Sequence, residues 1–214
     1  SYGDVAHLGF VENSGSSTSP VFETQILDTF GIALDTAEIN FRFRDFDNDG
    51  DYDLLTSSSN TYGNQFSFNY YENVGTATAP SFGARVGAPF GLVGLPSGFI
   101  TFACEDFDAD GDYDLVVNSY GGGGYYSTSM KYYQNIGTAS SPSFAQTGEP
   151  LNFPSQAMSL FVSSGNLDGD ADGDLSSAAA ALTSLSALDE GAFSSICTCS
   201  KIPICSGLRI PRPP

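Results

Sequence analysis

Asp45, Asp47, Asp49, Asp51 and Asp53 alternate with Phe46, Asn48, Gly50 and Tyr52. The pattern returns at Asp106, Asp108, Asp110, Asp112 and Asp114, again with glycine (Gly111) sixth in the run. A third run carries Asp168, Asp170, Asp172 and Asp174. So many like charges at two-residue spacing repel one another unless a cation neutralises them. A hard ion with six to eight oxygen ligands suits them, and glycine at position 6 allows the sharp turn such a loop needs. Numbered from Asp45, positions 1, 3, 5 and 9 present carboxylates and position 7 offers a backbone carbonyl. Calcium is the expected ion, and Asp106–Asp114 fill the same roles. Magnesium tolerates crowded carboxylates less well. The imidazole and sulfur ligands that zinc or copper prefer are missing from the runs. An EF-hand would need glutamate at position 12, where Thr56 and Val117 stand. The alternative to a metal loop is a solvated acidic turn. Counted from Asp168, the third run reaches Ser176 where the ninth carboxylate is expected, so it reads as a partial loop with doubtful occupancy.

These runs hold 14 of the 25 acidic residues, in a chain of 214 residues and formal charge −18. Nothing basic balances them to meet nucleic-acid phosphate. An anionic membrane is equally disfavoured, and no stretch is long and apolar enough for a spanning helix. Four cysteines, three of them near the C-terminus, do not make a disulfide framework.

The elements that position the loops come from internal repetition. Tyr70–Phe82 returns as Tyr132–Phe144 at an offset of 62, against 61 for the acidic loops. One residue is therefore inserted between the two motifs, and glycine-rich Ser119–Ser129 is its expected site. Gly9–Phe22 repeats the second half of the unit. The units read as 1–36 (a second half), 37–98 and 99–159 (whole repeats), 160–175 (a first half) and 176–214 (an atypical tail). Ile39, Phe41 and Phe43 alternate with polar residues, the period of a half-buried strand. Strands are also expected at Asp53–Ser57, Phe66–Glu72 and, more weakly, Ser81–Val86. The fold expected is all-β, in β-propeller-type blades of four antiparallel strands. Two readings stand for the tail. It is a variable or disordered segment, or it lies in a shifted reading frame, since an alternative frame of Ser195–Pro203 permits an aromatic-then-Asn-Thr strand.

The loop pattern Asp-x-Asp-x-Asp-Gly-x-x-Asp-Leu and the segment Tyr-Tyr-Glu-Asn-Val-Gly-Thr-Ala resemble the FG-GAP/VCBS repeat family over residues 5–175. Phe82-Gly83 and Gly87-Ala88-Pro89 match the family's name but follow the Asn-Gly-Thr segment, whereas integrin-type repeats place Gly-Ala-Pro after the calcium loop. The chain thus looks like the bacterial members. The resemblance implies a β-propeller related to the integrin α-chain head, calcium that braces each blade, and a secreted or cell-surface setting. It also implies an incomplete ring of about three blades, a fragment completed by a longer chain or by self-association. The function expected is calcium-dependent adhesion, glycan or protein binding, or scaffolding, with Asn60–Asn64 and Tyr120–Tyr126 as candidate contact loops. The alternative is part of a secreted enzyme acting on polysaccharide. No catalytic residue is assigned, because Glu72 becomes Gln134 in the next unit, as a structural position would.

Overall fold

In the computed structural model, residues 7–32, 34, 38–59, 66–93, 95, 98–121, 128–145, 147–151, 157–170 and 172–181 are described. The candidate contact loop Asn60–Asn64, all of Tyr120–Tyr126 beyond Gly121, and nearly all of the tail, with its frame-shift question, lie outside them.

Among the described residues, twelve strands form four antiparallel sheets, none closed into a barrel. Sheet I pairs β1 (Gly9–Phe10) with β2 (Ile26–Leu27). Sheet II is a meander of β3 (Glu38–Arg44), β4 (Asp53–Ser59), β5 (Phe66–Tyr71) and β6 (Val86–Gly87). Sheet III repeats it as β7 (Gly98–Glu105), β8 (Asp114–Gly121), β9 (Thr128–Tyr133) and β10 (Glu149–Pro150). Sheet IV pairs β11 (Ala157–Gly165) with β12 (Asp174–Ala181). The equivalent pairs Leu54–Tyr71 and Leu115–Tyr133 place the extra residue of the second repeat between β8 and β9.

The sheets stack face to face, and strand alternation allots side chains to successive interfaces. Leu54 and Tyr71 face sheet I, packing with Leu8 and Ile32. Leu55, Phe68 and Tyr70 meet Ile100, Phe102 and Cys104 of sheet III. Ala103, Val116, Met130 and Tyr132 meet Val162 of sheet IV. Inner strands buried on both faces read as continuous apolar runs, as in Leu115-Val116-Val117. The first strands of sheets II, III and IV converge: β3 borders β7 and β7 borders β11. Arg42 Nη2 reaches across to donate to the Val162 carbonyl at 3.2 Å.

The alternation in β3 has a different meaning from the half-buried strand expected. Phe43 joins the interface with sheet I, while Phe41 is 48% exposed. Arg42 and Arg44, which alternate with them, cover sheet III. Arg42 lies over the Phe102 ring at 5.4 Å and Arg44 over Tyr113 at 5.7 Å, with Arg44 also 3.0 Å from Glu105. Long side chains bury their stems on apolar surface in this way while the charged head finds a partner.

The weak fourth strand lies later than Ser81–Val86. Only Val86–Gly87 pairs with β5, through Asn69 and Tyr70. Residues 73–82 instead form a tight hairpin of isolated bridges, Asn73–Phe82 and Thr76–Ala79, repeated at Asn135–Phe144 and Thr138–Ser141.

Candidate metal centres

Each acidic run joins the first two strands of its sheet, β3 to β4 and β7 to β8. The backbone folds the carboxylates inward. Asp45 accepts from Asp49 N at 3.1 Å and Gly50 N at 3.0 Å. Asp106 accepts from Asp110 N at 3.1 Å and Gly111 N at 3.0 Å. Gly50 and Gly111 hold φ of 98° and 95°, a conformation glycine adopts without the strain a Cβ would bring.

The result is two matching trios. Carboxylate oxygens of Asp45, Asp47 and Asp49 lie within 4.8 Å of one another, and so do those of Asp106, Asp108 and Asp110. Burial first, then the charges of Asp49 and Asp110 respectively, pushes the Asp47 and Asp108 carboxyls above their ordinary range. Asp112 is pushed up to about 6 by burial and then by Asp110, Asp108 and Asp106. Asp51 is 8% exposed, and its Oδ1 meets no donor. Asp108 Oδ1 and Asp112 Oδ1 are likewise buried without a partner. Buried carboxylate oxygens left unmet are costly in a folded protein. Thr56 and Val117, the position-12 residues, are buried in β4 and β8 and bring no carboxylate to the loops.

Position 9 also serves inside the fold. Asp53 is buried, accepting at Oδ2 from Phe46 N at 3.1 Å and at Oδ1 from Asn73 N at 2.8 Å, with the Tyr70 hydroxyl as a third donor. Asp114 repeats this with Phe107 N at 3.3 Å, Asn135 N at 2.8 Å and the Tyr132 hydroxyl at 2.9 Å. Neither residue belongs to the trio. Each closes the loop and ties it to the hairpin after the third strand. Burial pushes Asp53 up to about 6 and Asp114 to about 7, against the lowering effect of those donors.

The tie explains why the two motifs of each unit recur together. Asn73 and Asn135 give their backbone N–H to the acidic loop and use side-chain Oδ1 to fold the hairpin. Asn73 Oδ1 accepts from Gly75 N at 3.1 Å and Ser81 N at 3.0 Å, and Asn135 Oδ1 from Gly137 N at 3.0 Å and Ser143 N at 2.9 Å. Asn13 folds the first hairpin in the same way. A Cβ on Gly137 would lie 2.4 Å from the Ser141 carbonyl oxygen, which is why glycine stands there.

The third run is set two residues earlier than the count from Asp168. Leu167 N donates to Asp174 Oδ2 at 2.6 Å, as Phe46 N does to Asp53, and Gly165 pairs with Asp174 as Arg44 does with Asp53. Asp174 is therefore position 9, and Leu175 matches Leu54. The loop has full length and does not end short at Ser176. What it lacks is the first carboxylate, replaced by Asn166, and the glycine at position 6, replaced by Ala171. Asp168 and Asp170 are exposed. Among the described residues, the third run yields no trio like the other two.

A further repeated element carries no acidic signal. Phe30 and Phe90 adopt positive φ of 67° and 56° in short turns at Thr29–Gly31 and Pro89–Gly91. Their carbonyls accept from Phe82 N at 3.2 Å and Phe144 N at 2.8 Å, so each turn is bonded to the hairpin of the next unit. The available sign in the sequence is Phe-Gly recurring at an interval of 60.

No protein-family model, no curated protein and no solved structure matches the chain. Among the described residues, no helix is long and apolar enough to cross a membrane.

Proposed function

We propose that this chain is a calcium-binding repeat module of FG-GAP/VCBS type, working outside the cell in adhesion, glycan or protein binding, or scaffolding. The observation that carries it is the pair of matching carboxylate trios, each accompanied by buried carboxylate oxygens without donors. A divalent ion meets both needs, and oxygen-only ligands in a glycine-turned loop favour calcium. Sheets II and III are the blades of a β-propeller in this reading. It is supported by four antiparallel strands per sheet, face-to-face stacking and the convergence of β3, β7 and β11. Further blades come from a longer chain or from association. The ions brace the turn between the first two strands of each blade, and the module presents its loops to a ligand.

The test is thermal unfolding in chelator, in millimolar calcium and in millimolar magnesium, with calcium uptake measured directly. An ion that binds only the folded chain must raise its melting temperature. Calcium is expected to raise it by several degrees, and magnesium by less. Equal melting in calcium and chelator refutes the metal reading.

A further inference from the structure

Sheets I and IV are complementary halves of one repeat. Asn13 holds the place of Asn73 and Asn135, so β1 and β2 match β5 and β6. Asp174 holds the place of Asp53, so β11 and β12 match β3 and β4. Among the described residues, β1 pairs only with β2 and β12 only with β11, which leaves an open edge on each. Such an edge is a template for a further strand. In the inner sheets the equivalent edges are joined, β4 to β5 and β8 to β9.

The groups that make those inner joints stand unmet at the two ends. Asn73 N and Asn135 N donate across the joint to Asp53 and Asp114 at 2.8 Å. Asn13 N meets no acceptor among the described residues, and the Asp174 carboxylate accepts there from Leu167 N alone. Side chains that the inner stack covers are bare at its ends. Phe46 is 1% exposed, its ring centroid 6.1 Å from that of Tyr113. Its counterpart Leu167 is 68% exposed, and Tyr52, the counterpart of Tyr113, is 63% exposed. Val11 is exposed where Tyr71 and Tyr133 are buried. Leu8, Phe41 and Leu54 line a hollow between sheets I and II. The equivalent Phe68, Phe102 and Leu115 pack with Leu55 of β4, the strand that sheet I lacks among the described residues.

Within one chain, sheets II and III stand between sheets I and IV, so the halves that fit belong to two copies. We propose that sheet IV of one copy joins sheet I of another as a single four-stranded sheet. Leu175 then faces Val11 in the register of Leu54–Tyr71 and Leu115–Tyr133. Asp174 takes the Asn13 N–H, and Leu167 covers Tyr52. The inference rests on the blade reading of the sheets and not on the ion. Each copy carries two whole blades and two halves. Two copies joined head to tail at both ends therefore close a ring of six, inside the range of about four to eight for propellers.

Light scattering of the full chain at micromolar concentration tests this, alongside calcium uptake. Wild type should have the mass of two chains. Val11→Lys and Leu167→Lys each set an unpaired charge in both joints and should weaken association at least about tenfold. Both side chains are exposed in the single chain, so its circular dichroism should not change. An equimolar mixture of the two variants should recover dimers, because one of its two joints is then unmutated. Amide exchange at Gly9–Phe10 and Asp174–Ala181 should be slower in the dimer than in the dilute single chain. A wild-type monomer, a larger assembly, variants that still dimerise or a mixture that stays monomeric overturns the joint, whatever the calcium uptake. An intact dimer without calcium uptake overturns the metal reading alone.

Discussion

Replacing Asp114 with alanine should be the most damaging change in the acidic loops, and damaging without any metal. The side chain is buried and accepts from Phe107 N, Asn135 N and the Tyr132 hydroxyl. Alanine leaves three donors unmet, each costing about 1–3 kcal/mol when no water reaches it. Against that stands the relief of no longer burying a carboxylate that titrates at about 7. Near neutral pH, the expected net loss is about 3–5 kcal/mol, a large share of the roughly 5–15 kcal/mol typical of a domain. Tyr132→Phe removes one of the three donors and should cost about 1 kcal/mol. Urea unfolding of both variants in excess chelator measures these losses with ligation eliminated. A loss below about 1 kcal/mol for Asp114→Ala, or one seen only when calcium is present, would refute the role of position 9 as an internal tie.

In chelator, the chain should lose stability as pH rises from about 4 to about 8. Asp53 and Asp114 titrate at about 6 and 7 when folded, above their ordinary 3.8, so the folded state binds more protons across that interval. Their stabilising effect is complete below the unfolded value and lost above the folded ones, by about 4 kcal/mol between pH 5 and 8. Saturating calcium should flatten or reverse the trend, because the ion binds the ionised loops. Phe22, Phe82 and Phe144 hold one motif position, yet Phe22 is 70% exposed, Phe82 is half-buried and Phe144 is 2% exposed. Alanine should cost less than about 0.5 kcal/mol at Phe22 and about 3–5 kcal/mol at Phe144, with Phe82 between, by chemical denaturation. Gly137→Ala should cost at least about 1 kcal/mol in the same assay, because its Cβ has only backbone to press against. An unaffected midpoint would show that the hairpin opens freely.

The acidic loops and their four-strand sheets were legible because period-2 strands and an alternating acidic turn each leave a local pattern. The third loop misled for the same reason. Aspartates at 168, 170, 172 and 174 fit two alignments equally well by charge. The apolar residues decide between them: Leu167 and Leu175 match Phe46 and Leu54, and the bond from Leu167 N to Asp174 follows. Asp53 and Asp114 looked like their neighbours in composition and differ only in burial, which depends on donors 20 and 21 residues further on. Arg42 and Arg44 read as the wet side of a strand because their aromatic partners lie in another repeat. The Phe30 and Phe90 turns have no strong local code, since their partners also belong to the next unit.

Because every interface is shared by two sheets, an inner sheet cannot come away without baring two apolar faces at once. Sheets II and III should therefore open as one cooperative block, while sheets I and IV, each with a single interface among the described residues, fray from the ends inward. Amide hydrogen exchange would record this as a gradient along the chain, slowest at Leu54–Ser57 and Leu115–Asn118 and fastest at Gly9–Phe10 and Asp174–Ala181. An ion seated at either inner loop would then slow exchange throughout both inner sheets, coupling two sites through shared opening with no change of shape.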